Sequence, residues 1–292
     1  MLTASSGAGY EVTAVRYGCR LTTKSDVFLH FDTYGEADEP IGMDYFFWVA
    51  RSPARTILID CGFNEQSGAR RGRTMLCPPV MALRRLDIAP EDVSLLIVTH
   101  GHYDHIGNLD EFPAAELIMS AREYEFWTGP LADRPLFATS SEVSDVGALR
   151  RARAAGRLRL LPPPAADAAP GPQDVADGVR VVEVGGHTPG ELVVLVSDGD
   201  GEVVLASDAL HYYDELRLDR PFRHVTDLPA MYQAYELLRG LAAEPTRHLV
   251  AGHDPEVMSR FPAVAGTADR HVADLAVRIG PFEAGAAAAR EE

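Results

Sequence analysis

One short segment holds most of the residues able to do chemistry. In Thr99-His-Gly-His-Tyr-Asp-His-Ile-Gly107, His100, His102, Asp104 and His105 are four candidate metal ligands within six residues. The segment follows the apolar run Leu95-Leu-Ile-Val98, so the ligands stand at the end of a predicted buried strand. His100 and His102 are two apart and point the same way in an extended chain. Asp104 and His105 are adjacent and share no direction in a strand, but at a turn or helix start both can aim at a second point a few ångströms away. That geometry suits two neighbouring metal ions better than one. Three further positions repeat the theme at predicted strand ends: His187 in Val184-Gly-Gly-His-Thr-Pro-Gly190, Asp208 in Ala206-Ser-Asp-Ala209 and His253 in Ala251-Gly-His-Asp254. Imidazole and carboxylate suit zinc and also iron or manganese, and none of Cys19, Cys61 and Cys77 stands at a ligand position. Two divalent ions lower the pKa of a bridging water from about 16 to about 7, which supplies hydroxide without a serine or cysteine nucleophile. His30, His224, His248 and His271 read as structural or surface residues.

The elements that must position these ligands are mostly strands. Residues 11–22 alternate loosely, 27–31 form a short apolar run, and 43–50 and 56–60 are apolar on both faces, as in strands buried on both sides. Helical spacing marks 78–88, and strands at 95–98 and 116–119 precede a helix over 121–127. Regularity fades between about 129 and 177, where a helix at 142–155 leads into the Pro/Ala tract 162–172. Strands return at 179–184, 191–196 and 202–205. Leu228, Met231, Tyr235, Leu238 and Leu241 then recur at helical spacing behind Asp227, a suitable N-cap, and 248–251 reads as the last strand. A sandwich of two sheets with helices on both outer faces leaves no apolar face unburied.

The quoted segment, together with His187-Thr-Pro-Gly190, Asp208 and Gly252-His253, resembles the metallo-β-lactamase superfamily over about residues 40–255. The resemblance implies an α+β fold, an αββα sandwich of two mixed sheets with the metal site at one edge. It implies that His100, His102 and His187 hold one ion, that Asp104, His105 and His253 hold the other, and that Asp208 bridges them. Asp60, in Leu58-Ile-Asp-Cys-Gly62, matches an aspartate that orients the ligand loops from behind. Overall length, the long segment before the first motif, Asp208-Ala-Leu-His-Tyr-Tyr213 and Gly252-His-Asp-Pro255 are most similar to the N-acyl-homoserine lactonase-like branch. Lactonases of that branch carry a tyrosine three residues after the bridging aspartate. Here position 211 is His, followed by Tyr212, so either His211 or Tyr212 takes that role or the substrate differs. Glu191 stands where many relatives have a histidine that is not a ligand.

The activity so implied is a dinuclear zinc hydrolase, with iron or manganese as alternatives, that opens a lactone ring by attack of a metal-bridging hydroxide. An N-acyl-homoserine lactone is the first candidate substrate, which would make the protein a quorum-quenching enzyme. Asp104 would relay the proton to the leaving alkoxide, helped by Tyr212 or His211. Met75, Met81, Phe126, Trp127, Tyr212 and Phe222 are candidates for an acyl-chain pocket. Another lactone, ester or thioester is the nearest alternative. A mononuclear iron persulfide dioxygenase and a non-catalytic sensor are the more distant ones.

Composition narrows the remaining classes. With 292 residues and 46% hydrophobic residues, the chain can bury a substantial core, and it is expected to form one domain over 1–292 with an irregular insertion at about 129–177. The tail from 280 to 292 reads as a short helix or a frayed end. No apolar stretch is long enough for a transmembrane helix, and the first ten residues lack the basic and apolar regions of a signal peptide. An odd number of widely spaced cysteines points away from a disulfide framework and towards the cytoplasm. Forty-three acidic against 27 basic residues, net −16, disfavour nucleic acid as a partner. The expected partner is a small molecule with a lactone or ester carbonyl; the oligomeric state stays open, a homodimer being one option.

Overall fold

A computed structural model describes residues 9–163, 171–264 and 274–280. The strands are β1 (Glu11–Thr23), β2 (Pro40–Arg51), β3 (Thr56–Ile59), β4 (Thr74–Met75), β5 (Val93–Ile97), β6 (Glu116–Ser120), β7 (Leu158–Leu161), β8 (Gln173–Ala176), β9 (Val179–Glu183), β10 (Leu192–Ser197), β11 (Glu202–Leu205), β12 (Arg247–Val250) and β13 (Ala276–Ile279). The first sheet runs β13-β1-β2-β3-β5-β6-β7, with β4 beside β1, and the second runs β12-β11-β10-β9-β8. Both are mixed. β3, β5, β6 and β7 are parallel neighbours, as are β11 and β12, and the other pairs are antiparallel.

Strand alternation divides the core in two. On β2, Phe46, Trp48 and Ala50 face the second sheet and join Val181, Val194 and Val204 there. Tyr45, Phe47 and Val49 face the other way, onto Leu83 of the helix Pro79–Arg85 and Leu149 of the helix Val143–Ala154. The helix Leu228–Ala242 covers the far side of the second sheet with Ala234 and Leu238, and Asp227 caps it by accepting from the Ala230 N–H at 3.0 Å. Helices therefore cover both outer faces, as in the metallo-β-lactamase fold. Each large side chain buried in this way contributes about 1.5–3 kcal/mol.

Several elements differ from the sequence reading. Residues 27–31 are not a strand: a helical turn, Lys24–Val27, leads into a 3-10 turn, Phe31–Tyr34. The buried residues there are Val27, Phe28 and Phe31, a helix-like spacing, while His30 is exposed with φ 51°. Residues 129–177 carry a helix Pro135–Ala138, the expected helix Val143–Ala154, and β7 and β8, the edge strands of the two sheets. β12 is not the last strand, because β13 pairs with β1. The centre of the Pro/Ala tract (164–170), His271 and the tail 281–292 lie outside the described residues. Among the described residues no helix is long and apolar enough to cross a membrane, and none of Cys19, Cys61 and Cys77 forms a disulfide.

Topology brings five strand ends to one edge. β9 and β11 are both antiparallel to β10, so they run the same way as β12. His187, Asp208 and His253 follow the C-terminal ends of β9, β11 and β12. Asp60 and His100 follow those of the parallel pair β3 and β5. The Leu192 N–H donates to Thr99 O at 3.0 Å, tying the start of β10 to the loop after β5.

Candidate metal centre

Asp208 stands at the middle of the converging loops, and its two oxygens divide the histidines. Oδ2 lies 3.7 Å from His100 Nε2, 3.3 Å from His187 Nε2 and 3.0 Å from His211 Nε2. Oδ1 lies 3.3 Å from His105 Nε2 and 3.1 Å from His253 Nε2. Asp104 closes the second group, with Oδ2 3.8 Å from His253 Nε2 and Oδ1 4.0 Å from His105 Nε2. In the first group His102 Nδ1 is 2.9 Å from His187 Nε2. The ligand atoms of His100, His102, His187 and Asp208 all lie within 4.8 Å of one another, as do those of Asp104, His105 and His253, and those of Asp208, His211 and His253.

Contacts behind the rings fix their orientation. His105 Nδ1 is 2.7 Å from Asp60 Oδ2, His187 Nδ1 is 2.7 Å from His224 O, and His253 Nδ1 is 2.7 Å from Asp44 O. Each of these Nδ1 atoms faces an acceptor and so carries a proton, which turns Nε2 towards the cluster as the atom a metal would take. Asp60 also accepts from the Thr99 N–H at 2.9 Å and the Thr99 hydroxyl at 2.7 Å, and its own backbone is left-handed, φ 59°. Glu123 does the same service for the other group through the backbone. It accepts from the Gly101 N–H at 3.0 Å, the Gly190 N–H at 2.9 Å and Trp127 Nε1 at 2.6 Å, holding the His100–His102 loop against the loop after His187. Gly101 is needed here, since a Cβ would lie 2.2 Å from Trp127 Cδ1.

The electrostatics fit a cation. His100 Nε2, His105 Nε2 and Asp208 Oδ1 are buried with no hydrogen-bond partner. Such orphaned groups are expensive unless something absent from the protein chain satisfies them. Burial, aided by neighbouring histidines, pushes His100 and His102 well below the usual imidazole range, so both are neutral. Burial works against charge on Asp208 as well, but His253, His211, His105 and His100 outweigh it and hold the carboxyl well below its usual value. Burial also opposes charge on His105 and His253, but Asp208, with Asp60 behind His105 and Asp104 beside His253, outweighs it and raises both, so the carboxylates already draw positive charge to this place. Imidazole nitrogens around an ionised carboxylate are the donor set that divalent metals take. The cluster is thus consistent with a dinuclear site, His100, His102 and His187 on one side and Asp104, His105 and His253 on the other.

The cluster opens into a cleft of about 300 Å³. Of the two aromatic candidates after Asp208, His211 faces the cleft. Its ring stacks on Phe222 with centroids 3.6 Å apart, and its Nδ1 lies 3.6 Å from Glu215 Oε1. Burial pushes the Glu215 carboxyl up to about 8. The Tyr212 hydroxyl instead donates to Gly42 O at 2.9 Å, and the residue does not line the cleft. Of the proposed acyl-pocket residues only Phe222 lines the cleft; Trp127 lies beneath His102, Phe126 packs on Phe137, and Met81 is largely solvent-exposed. The cleft wall carries Arg20, Arg71 and Arg73, and also His224, which reads from the sequence as structural or surface. Sequence reasoning also missed Glu123, Glu215, Thr99 and Ser207, whose hydroxyl lies 2.9 Å from that of Thr99. A buried Glu191, 4.0 Å from His100 Nδ1, completes the packing behind the first group.

A sequence profile of the Metallo-beta-lactamase superfamily matches residues 43–253, and the chain belongs to that family. Over 194 residues it is 28% identical to the N-acyl homoserine lactonase AttM of Azorhizobium caulinodans, covering 65% of this chain and 69% of that protein. It is 59% identical to metallo-beta-lactamase domain-containing protein 1 of Mus musculus, but over 39 residues only, so the alignment spans 13% of this chain and 15% of the mouse protein. The solved structure of an N-acyl homoserine lactone hydrolase with N-hexanoyl-L-homoserine at its catalytic metal centre superposes with a TM-score of 0.69 at 18% identity, covering 87% of this chain and 97% of that one.

Proposed function

We propose that this protein is a metal-dependent hydrolase of the lactonase branch that opens a lactone or a closely related ester. The observation that carries this reading is the division of Asp208: one oxygen faces each of two groups of imidazole Nε2 atoms at the floor of a substrate-sized cleft. N-Acyl-homoserine lactones are the first substrates to test, because the relative AttM is named for them.

His100, His102, His187 and Asp208 would hold one ion, and Asp104, His105, His253 and Asp208 the second. When bound, such a pair supplies Lewis-acid polarisation of a carbonyl and activation of water. The chain's own groups do the rest. Asp104, buried at the cleft floor, accepts a proton from the attacking water and returns it to the leaving oxygen. His211, clamped between Phe222 and Glu215, is placed to hydrogen-bond the leaving group or the carbonyl, the role we assign to it over Tyr212. Asp60 and Glu123 keep the ligand rings pointed inward.

The test is metal content followed by pH-stat assay of N-hexanoyl-homoserine lactone, γ-lactones and phenyl esters. Two ions per chain and ring opening are expected, and His102→Ala loses metal and activity together. Fully loaded protein that leaves all three classes intact overturns the proposal, as does one iron per chain with persulfide consumption.

A further inference from the structure

Three arginines line the cleft of a chain that carries 43 acidic and 27 basic residues. Their partners differ. Arg71 is neutralised: its guanidinium pairs with Glu142 and donates to Thr139 O and Ser141 O. Arg73 donates from Nε to the Tyr103 hydroxyl at 3.0 Å and from Nη1 to Arg71 O at 2.7 Å, and meets no carboxylate among the described residues. The Arg20 side chain makes no hydrogen bond or ion pair among the described residues, and its Nε is buried with no partner. Its position is set by the sheet. Arg20 on β1 stands opposite Met43 on β2, and both side chains emerge on the cleft side.

A guanidinium is always charged, and its planar fork of donors matches a carboxylate in two parallel hydrogen bonds. Leaving such a group half-buried without an acceptor is unfavourable unless something else fills the place. Of the two carboxylates that line the same cleft, Asp208 is turned into the histidine cluster, and Asp104, though near enough to favour the charged form of Arg73, also faces that cluster and makes no ion pair with either arginine. The apolar residues expected to receive an acyl chain are, apart from Phe222, elsewhere.

We propose that the cleft selects an anionic substrate: a lactone or ester whose acyl portion ends in a carboxylate, received by Arg20 and Arg73. This deepens the hydrolase reading and rests on it. The reaction stays ordinary hydrolysis, in which the acyl C–O bond breaks, water adds OH to the carbonyl carbon and its proton leaves with the alcohol. Only the recognised end of the substrate is new.

A matched pair of probes tests it on the metal-loaded full chain. Monophenyl glutarate and phenyl pentanoate present the same ester on five-carbon acyl chains, one ending in a carboxylate and the other in a methyl group. The anionic ester should have a kcat/KM about tenfold higher, the scale of one charge-assisted hydrogen-bonded pair. The ratio should fall to about one in Arg20→Met and in Arg73→Met, and Arg20→Lys should keep part of it. Metal content reports whether each variant is folded. Binding of the free acids by calorimetry gives a readout independent of turnover: glutarate should bind about tenfold more tightly than pentanoate, and Arg20→Met should abolish the difference. Equal use of the two esters, or a preference that survives both Met substitutions, overturns the proposal. Cleavage of neither these esters nor the lactones named above, with glutarate still favoured in the parent and not in Arg20→Met, supports the anion site and sinks the hydrolase reading. Equal binding of the two acids sinks the anion site.

Discussion

The two halves of the candidate metal centre are held in place by different means. On the side of Asp208 Oδ1, a carboxylate grips a ligand ring directly: Asp60 Oδ2 sits 2.7 Å from His105 Nδ1, while the Asp44 carbonyl does the same for His253. On the Oδ2 side the His224 carbonyl holds His187 in the same way, but the carboxylate there grips peptide groups instead, with Glu123 accepting from Gly101 and Gly190 while His102 turns its Nδ1 inward. A direct contact sets a ring's tautomer and basicity, whereas a backbone contact sets only the path of the loop. The first half should therefore respond electronically to a substitution behind it, and the second mechanically.

The largest effect is expected at Asp60. Asp60→Asn removes the negative acceptor and can present an N–H to His105 Nδ1, which favours the wrong tautomer. Affinity for the ion on the Oδ1 side should fall about 10–100-fold, with a smaller change on the other side, as chelator competition would show. Equal losses on both sides would break the distinction. Glu123→Gln ranks next. Its two oxygens serve three donors, and an amide cannot accept at both ends, so at least one buried N–H is orphaned. Unfolding stability should fall by about 1–3 kcal/mol, read by denaturant titration, with metal affinity changing less than in Asp60→Asn. A Glu123 variant of unchanged stability but lower metal affinity would reverse that assignment.

The smallest effect contrasts the centre with a buried acid that no histidine surrounds. Burial pushes the Asp145 carboxyl up to about 6, and its Oδ2 has no hydrogen-bond partner. A folded-state pKa raised above the unfolded value means that stability is full at low pH and is lost as pH rises through about 6. Asp145→Asn should therefore melt with the parent near pH 4 and about 1–3 °C above it at pH 8. A gain of the same size at both pH values would show that charge is not the cause.

The same contrast explains what was legible in the sequence. The clustered histidines and aspartates stand directly after apolar strands within a few residues of glycine, so local pattern marked them as candidate ligands, whereas Asp60 was singled out only by the family resemblance. Glu123 lies in the first turn of the helix Ala121–Thr128, and nothing in its surroundings differs from an ordinary helix cap; its partner Gly190 is 67 residues away. β13 was invisible for a similar reason, since four residues gain strand form only by pairing with β1 at the opposite end of the chain. The Val27–Phe31 run misled because a short apolar run has no period to distinguish a strand from helical turns. Arg20 was passed over because an arginine on a strand reads as solvent-facing until the wall opposite it is known.

The most direct test of the central claim is native mass spectrometry of the metal-reconstituted chain, compared with Asp208→Ala. Asp208 shared between two groups of ligands predicts two ions per chain in the parent and loss of both in the variant. A parent that takes up one ion, or an Asp208→Ala protein that keeps two, would contradict it.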